Sequence, residues 1–166
     1  KALESDISKK EATLAGLESL QAEHEGYPAS VKSLLAARDG GELAGIISSV
    51  GDAIKVPEGM EAAIEAGLGS QINDIICLSS DDAVKGVGYL KEKRSGKATF
   101  LPLDIIRPSE MQKIERIKQQ PGFLGIASEL IGFEKMISPA IQYLLGNTAV
   151  FKDLDSALEM QRKGLR

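Results

Sequence analysis

His24 is the only histidine in the chain and Cys77 the only cysteine, so a Ser-His or Cys-His dyad has a single base to draw on, in a different segment from the thiol. Cys77 sits in the apolar run Ile75, Ile76, Cys77, Leu78, where a thiol reads as a buried, inert side chain. A metal would have to be held by carboxylates alone, and their spacing is not that of an EF-hand. The close carboxylates Asp81 and Asp82, or Glu58 and Glu61, stand where helix starts favour negative charge. Gly96 and Lys97 have the look of the end of a phosphate loop, yet Lys91 stands where its first glycine belongs and Ala98 replaces the Ser/Thr. Gly86 and Gly88 lack the third glycine of a dinucleotide fingerprint. No catalytic residue, cofactor site or metal site is therefore assigned. What remains is charge: Lys85, Lys91, Lys93, Arg94 and Lys97 against Glu92 alone leave +4 over 13 residues of a chain whose net charge is -4. Such clustering suits phosphate contact, although lysines at a helix C-terminus also answer the helix dipole.

These residues need elements to hold them. Leu3, Ile7, Leu14 and Leu17 follow the a/d seam of a coiled coil, with Lys10, Gln21 and His24 at the other seam positions. This predicts a coiled-coil helix over residues 1–25 that begins in mid-helix and is ended by Gly26, Tyr27 and Pro28. A short helix over 29–37 and a β-rich stretch over 43–56 follow. Met60, Ala63, Ile64, Gly67 and Leu68 mark a buried helix face, residues 74–79 a strand, and Ala83, Val84, Val87 and Leu90 the inward face of a helix capped by Asp81 or Asp82. Residues 97–101 read as a strand. A helix over 108–119, with Met111, Ile114 and Ile117 inward, opens a second half that repeats the plan.

In that half Ser138 caps a helix with Pro139 at its first position, and Ile137, Ala140, Ile141, Leu144 and Leu145 reproduce the earlier apolar spacing. Ala63 and Ile64 align with Ala140 and Ile141, and Leu68 and Gly69 with Leu145 and Gly146, an offset of 77 each time. A strand and a short helix follow in both halves, and Gly45 with Ile46 is matched to Gly125 with Ile126. The expected fold is α+β, with two related subdomains and mixed sheets, preceded by a coiled-coil helix stub: the arm over 1–25, subdomain I over 26–103 and subdomain II over 104–166.

No apolar run approaches the roughly 20 residues of a membrane span, and the single cysteine suits a reducing compartment, so the expected location is cytoplasmic with no membrane partner. A net acidic chain with 4% aromatic residues does not coat nucleic acid over its whole surface.

Gly45 through Val50, Ile54 through Pro57, Ala62 through Gly69, Ala83 with Val84, and Tyr89 through Lys91 stand in a recognisable order. With Gly96, Lys97, Ala98, Thr99, Phe100, Leu101, Pro102 and Leu103, this order resembles the hinge domain of bacterial or archaeal SMC (structural maintenance of chromosomes) proteins, from about Tyr27 to the end. The resemblance implies a non-catalytic homodimerisation hinge interrupting an antiparallel coiled coil, in a nucleoid-associated protein of chromosome condensation and segregation. Its ATPase would lie in a separate head. It also implies weak, non-specific DNA contact, carried over to Lys91, Lys93, Arg94 and Lys97. A homodimer closes by subdomain I of one chain against subdomain II of the other, with contact residues at Ile75, Ile76, Cys77 and Leu78 and at Gly122, Gly125 and Ile126. The family continues past the last helix with a strand and a glycine-rich segment, so the chain ending at Arg166 is expected to dimerise less tightly. A small-molecule-binding regulatory α+β domain, its ligand in a cleft between duplicated subdomains, is the alternative.

Overall fold

The computed structural model describes residues 26–108 and 114–163, together with positions 7, 9, 10 and 12–14, which are helical. The rest of the expected coiled coil, with His24 and Met111, lies outside the described residues. Pro28, at φ -55°, opens helix α1 (Ala29–Asp39), whose buried Val31, Leu34 and Leu35 recur at helical spacing.

The expected β stretch is broken. Strand β1 (Ile46–Ser49) gives way to one helical turn, α2 (Val50–Ala53), before strand β2 (Ile54–Lys55), because the Ser49 side chain accepts the Asp52 N–H and caps the turn. Helix α3 (Glu61–Leu68) buries Ile64 and Leu68, and strand β3 (Ile75–Cys77) leads to helix α4 (Ser80–Lys93) and strand β4 (Phe100–Pro102). The cap of α4 is Ser79 rather than Asp81 or Asp82: its hydroxyl donates to Asp82 Oδ2 at 2.6 Å and accepts the Asp82 N–H at 3.2 Å. Nor do Val84 and Val87 face inward. They are 71% and 39% exposed; of the expected face Leu90 is buried and Ala83 packs against the first-half core, and α4 also buries Gly86, since Phe100 lies where a Cβ on Gly86 would project.

The second half is helix α5 (Ile114–Lys118), the described part of the helix expected over 108–119, with Ile117 buried. Strand β5 (Phe123–Ile126), helical turn α6 (Ala127–Leu130) and strand β6 (Gly132–Phe133) come next. Helix α7 (Ser138–Leu145), strand β7 (Ala149–Phe151) and helix α8 (Leu154–Arg162) complete it. Ser138 is the first residue of α7 and the preceding Ile137 occupies the cap position without a side-chain bond; Asp153 caps α8 by accepting the Ser156 N–H at 2.8 Å.

The repeat is one of hydrogen bonds as well as of pattern. β1 pairs antiparallel with β3 through Ile46 with Cys77, Ser48 with Ile76 and Ser49 with Ile75, and β5 pairs with β7 through Phe123 with Phe151, Gly125 with Val150 and Ile126 with Ala149. The register and its irregularity are the same, displaced by 77 residues on one strand and 74 on the other. Ile46 thus corresponds to Phe123, not Ile126. The Val50 N–H bonds to the Asp74 carbonyl as the Ala127 N–H bonds to that of Thr148, both at the exit from the first strand.

β3 pairs parallel with β4, so the first sheet has the order β1-β3-β4, mixed in sense, and β2 pairs antiparallel with β6 to join the halves. One core spans that joint: Val50, Ile64, Leu68 and Ile76 meet Ala127, Ile131, Ile141, Leu145 and Val150. A second belongs to the first half alone, with Leu34 and Leu35 of α1 against Ile46, Ile75, Cys77 and Leu90. The molecule is an α+β fold of two repeated units sharing one core.

Candidate dimer and nucleic-acid surfaces

The basic cluster is built by the way α4 ends. Arg94 takes the left-handed conformation, at φ 53°, its N–H reaching the Lys91 carbonyl at 3.3 Å while the Ser95 N–H reaches that of Leu90 at 3.1 Å. Gly96, at φ 96°, turns the chain towards β4. The loop is then tied to α1: Ser30 Oγ, buried, donates to the Lys97 carbonyl at 2.6 Å, and Ser33 and Ser95 hydroxyls lie 3.2 Å apart. Lys91, Lys93, Arg94 and Lys97 are thereby all exposed around one anchored turn.

Their charges are unequally engaged. Lys93 lies 4.0 Å from Glu92 and 5.5 Å from the centre of the Tyr89 ring. Lys85 is bound to Asp82 at 3.0 Å, which raises the ammonium above its ordinary value, while the Asp82 carboxyl is lowered first by the Ser79 hydroxyl and then by Lys85. Lys97 borders a cavity of about 470 Å³ with Ser30, Asn73, Asp74 and Thr99. Burial lifts the Asp74 carboxyl above the ordinary carboxylate range, against a lowering bond from Thr99.

The expected dimer residues fall apart into two groups. β3 is the middle strand of its sheet, hydrogen-bonded on both edges, and Ile75, Ile76 and Cys77 have no exposed surface. In this chain they present nothing to a partner; Leu78, just beyond, is 48% exposed. Burial, then Asp82 and Asp104, push the Cys77 thiol up to about 11, which makes it a poor nucleophile.

In the second half Gly125 and Ile126 are buried and Gly122 is half-buried. A Cβ on Gly122, at φ 77°, would meet Ser156 Oγ within 2.5 Å, and one on Gly125 would come 2.8 Å from Leu130 Cδ2, so close packing within the chain accounts for both glycines. Leu124 between them is 47% exposed. Among the described residues the outer edge of β7, where β3 receives β4, has no strand beside it.

A cleft of about 410 Å³ lies at the β2–β6 joint, with Ile47, Ser48, Phe133, Asp52, Glu134 and Lys55 in its walls. Among the described residues no group of three His, Cys, Asp or Glu side chains could hold a metal ion, and no helix is long and apolar enough to cross a membrane.

The sequence model of the family described as SMC proteins Flexible Hinge Domain matches residues 43–161. The chromosome partition protein Smc of Halothermothrix orenii is 40% identical over 156 residues, covering 93% of this chain but 13% of that protein. The chain thus spans a small part of the length of the relative it matches. An asymmetric dimer of the Geobacillus stearothermophilus SMC hinge domain has been solved by crystallography, and its fold matches with a TM-score of 0.89 at 37% identity, over 96% of this chain and 63% of that one. The Pyrococcus furiosus Smc hinge domain with an extended coiled coil matches with a TM-score of 0.68 at 25% identity, over 96% and 57%. With the family's pattern running through both repeats and the fold shared with its solved members, the chain belongs to the SMC flexible hinge domain family.

Proposed function

We propose that this chain is a non-catalytic dimerisation hinge of a chromosome condensation and segregation protein, joining two coiled-coil arms and touching nucleoid DNA without sequence preference. The observation that carries the reading is the match over nearly the whole chain to a hinge domain that forms a dimer. Subdomain I over 26–103 of one copy would meet subdomain II over 104–166 of the other, each contact made twice about a two-fold axis. The surface positions suited to it are Leu78 and the segment over 122–126, where Leu124 is exposed; Ile75, Ile76 and Cys77 would act only through the sheet they hold. Sedimentation of this chain beside a version extended by a further strand tests it. A dimer that tightens in the longer chain supports the reading, and two monomers at any concentration sink it.

DNA contact would use Lys91, Lys93, Arg94 and Lys97, which form one exposed, anchored group of cations. Phosphate contacts release counterions, so binding should weaken steeply with salt, by a log–log slope of about -0.9 per phosphate. Reversing Lys91, Lys93 and Arg94 to Glu should abolish a low-salt mobility shift. An unchanged shift would reduce the cluster to a solvated helix end.

A further inference from the structure

Three consecutive residues of different kinds carry the chain into α1. Gly26 takes φ 98° with nothing within 4 Å of where a Cβ would stand, so packing does not hold it. Pro28 is locked to α1, its carbonyl accepting the Lys32 N–H at 3.0 Å. Between them Tyr27 reaches across to the end of β1. Its hydroxyl donates to Asp52 Oδ1 at 2.6 Å and accepts from Ser49 Oγ at 2.8 Å, while Ser49 Oγ also accepts the Asp52 N–H at 3.1 Å.

The receiving side is rigid. Ser49 is fully buried, and Val50 beside it belongs to the core shared by both repeats. A Cβ on Gly51 would lie 3.4 Å from the Tyr27 hydroxyl oxygen and 3.2 Å from Ile72 Cγ1, so the position is nearly filled. The Tyr27 ring packs against the first-half core. Burial, and then the Asp52 bond, push the hydroxyl up to about 12, so it stays a donor at neutral pH.

We infer that Tyr27 is a latch: its hydroxyl, held between Ser49 and Asp52, fixes the direction in which the chain enters the hinge and leaves Gly26 as the pivot. The geometry stands alone; that the direction set is that of an arm rests on the hinge reading. Tyr27 positions the segment through Asp52, so removing either partner should free the entry angle while the fold persists.

The test uses the full chain with spin labels at Lys10→Cys, an exposed helical position, and Glu65→Cys, exposed on α3, diluted into unlabelled chain. Cys77 is buried and does not label. Tyr27→Phe keeps the ring and removes the hydroxyl, and it should broaden the distance distribution about twofold. Asp52→Ala should do the same, whereas Asp52→Asn, which retains an acceptor oxygen, should restore the parent distribution. Unchanged width and centre in Tyr27→Phe overturns the latch. If that variant does not fold, the Asp52 pair decides, and identical distributions from Ala and Asn overturn it equally. Sedimentation of the same samples separates the two readings, because loss of dimerisation leaves the latch result untouched.

Discussion

β3 buries all three of its residues, whereas β7, at the same place in the second repeat, buries only Val150 and leaves Ala149 and Phe151 half-exposed. The helices that follow differ in the same sense: α4 buries Gly86 and Leu90, and α8 has no buried residue, with Leu154 at 73% and Leu158 at 39% exposure. Pairing register does not cause this, since it is the same in both. The difference lies in what surrounds the repeated unit. The first is completed by the 11-residue α1 and by β4, and so gains a core of its own, while the second depends on the shared one. Two copies of one plan thus reach different degrees of burial according to their neighbours, and the less covered copy is where added chain or a partner gains most by burial.

The most severe way to break this contrast is through the shared core. Ile141→Ala removes a side chain with no exposed surface and should cost about 2–5 kcal/mol. Native-state hydrogen exchange should then lose protection in β3 and β7 alike. Loss confined to β7 would mean that the core does not couple the repeats.

Equivalent helices provide the next test. Leu90→Ala in α4 should cost about 2–5 kcal/mol, because Leu90 is 4% exposed, while Leu158→Ala in α8 should stay within about 0.5 kcal/mol. Similar denaturation midpoints for the two variants would erase the asymmetry. Two glycines of α4 sharpen it further. A methyl on Gly86 would sit 2.6 Å from the Phe100 ring, so overpacking of about 1–3 kcal/mol outweighs the helix-propensity gain of about 1 kcal/mol. Gly88 has open space, and Gly88→Ala should stabilise by roughly that propensity gain alone.

The last effect is one of pH, and it belongs to the first repeat only. The positions corresponding to Ser49 and Asp52 in the second are Ile126 and Glu129, which cannot reproduce the Tyr27 clamp. The Tyr27 hydroxyl lies at about 12 in the fold against about 10 in an open chain, so the folded state keeps a proton that the unfolded state loses. Its contribution is complete below about pH 10 and disappears as pH rises through about 12. Melting curves across that window should fall less steeply for Tyr27→Phe than for the parent; parallel curves would deny the clamp any energetic role.

Much of the second repeat was legible because its signals are local. The spacing from Ile137 to Leu145 placed α7, and the offset of 77 brought α3 and α7 into correspondence before any pairing was known. The basic positions were legible for the same reason: residues 91–97 are neighbours in sequence, and a helix end with its loop exposes them together. The helix face of α4 was legible only in part, at Leu90 and Ala83. Val84 and Val87 are apolar and correctly spaced, but Gly86 carries no hydrophobic signal, and only the arrival of Phe100 selects the glycine face for burial.

By itself the sequence determined most of the helices, the repeat, the basic cluster at a helix end and the family, since each is written in residues close along the chain or in their order. Tertiary structure alone decided that β3 is a middle strand, that Gly122 and Gly125 are packed by Ser156 and Leu130, and that Tyr27 is clamped by Ser49 and Asp52. The physical reason is range. Helical periodicity and capping act within a few residues, whereas a strand's place in its sheet and the atoms beside a glycine depend on chain brought back from tens of residues away.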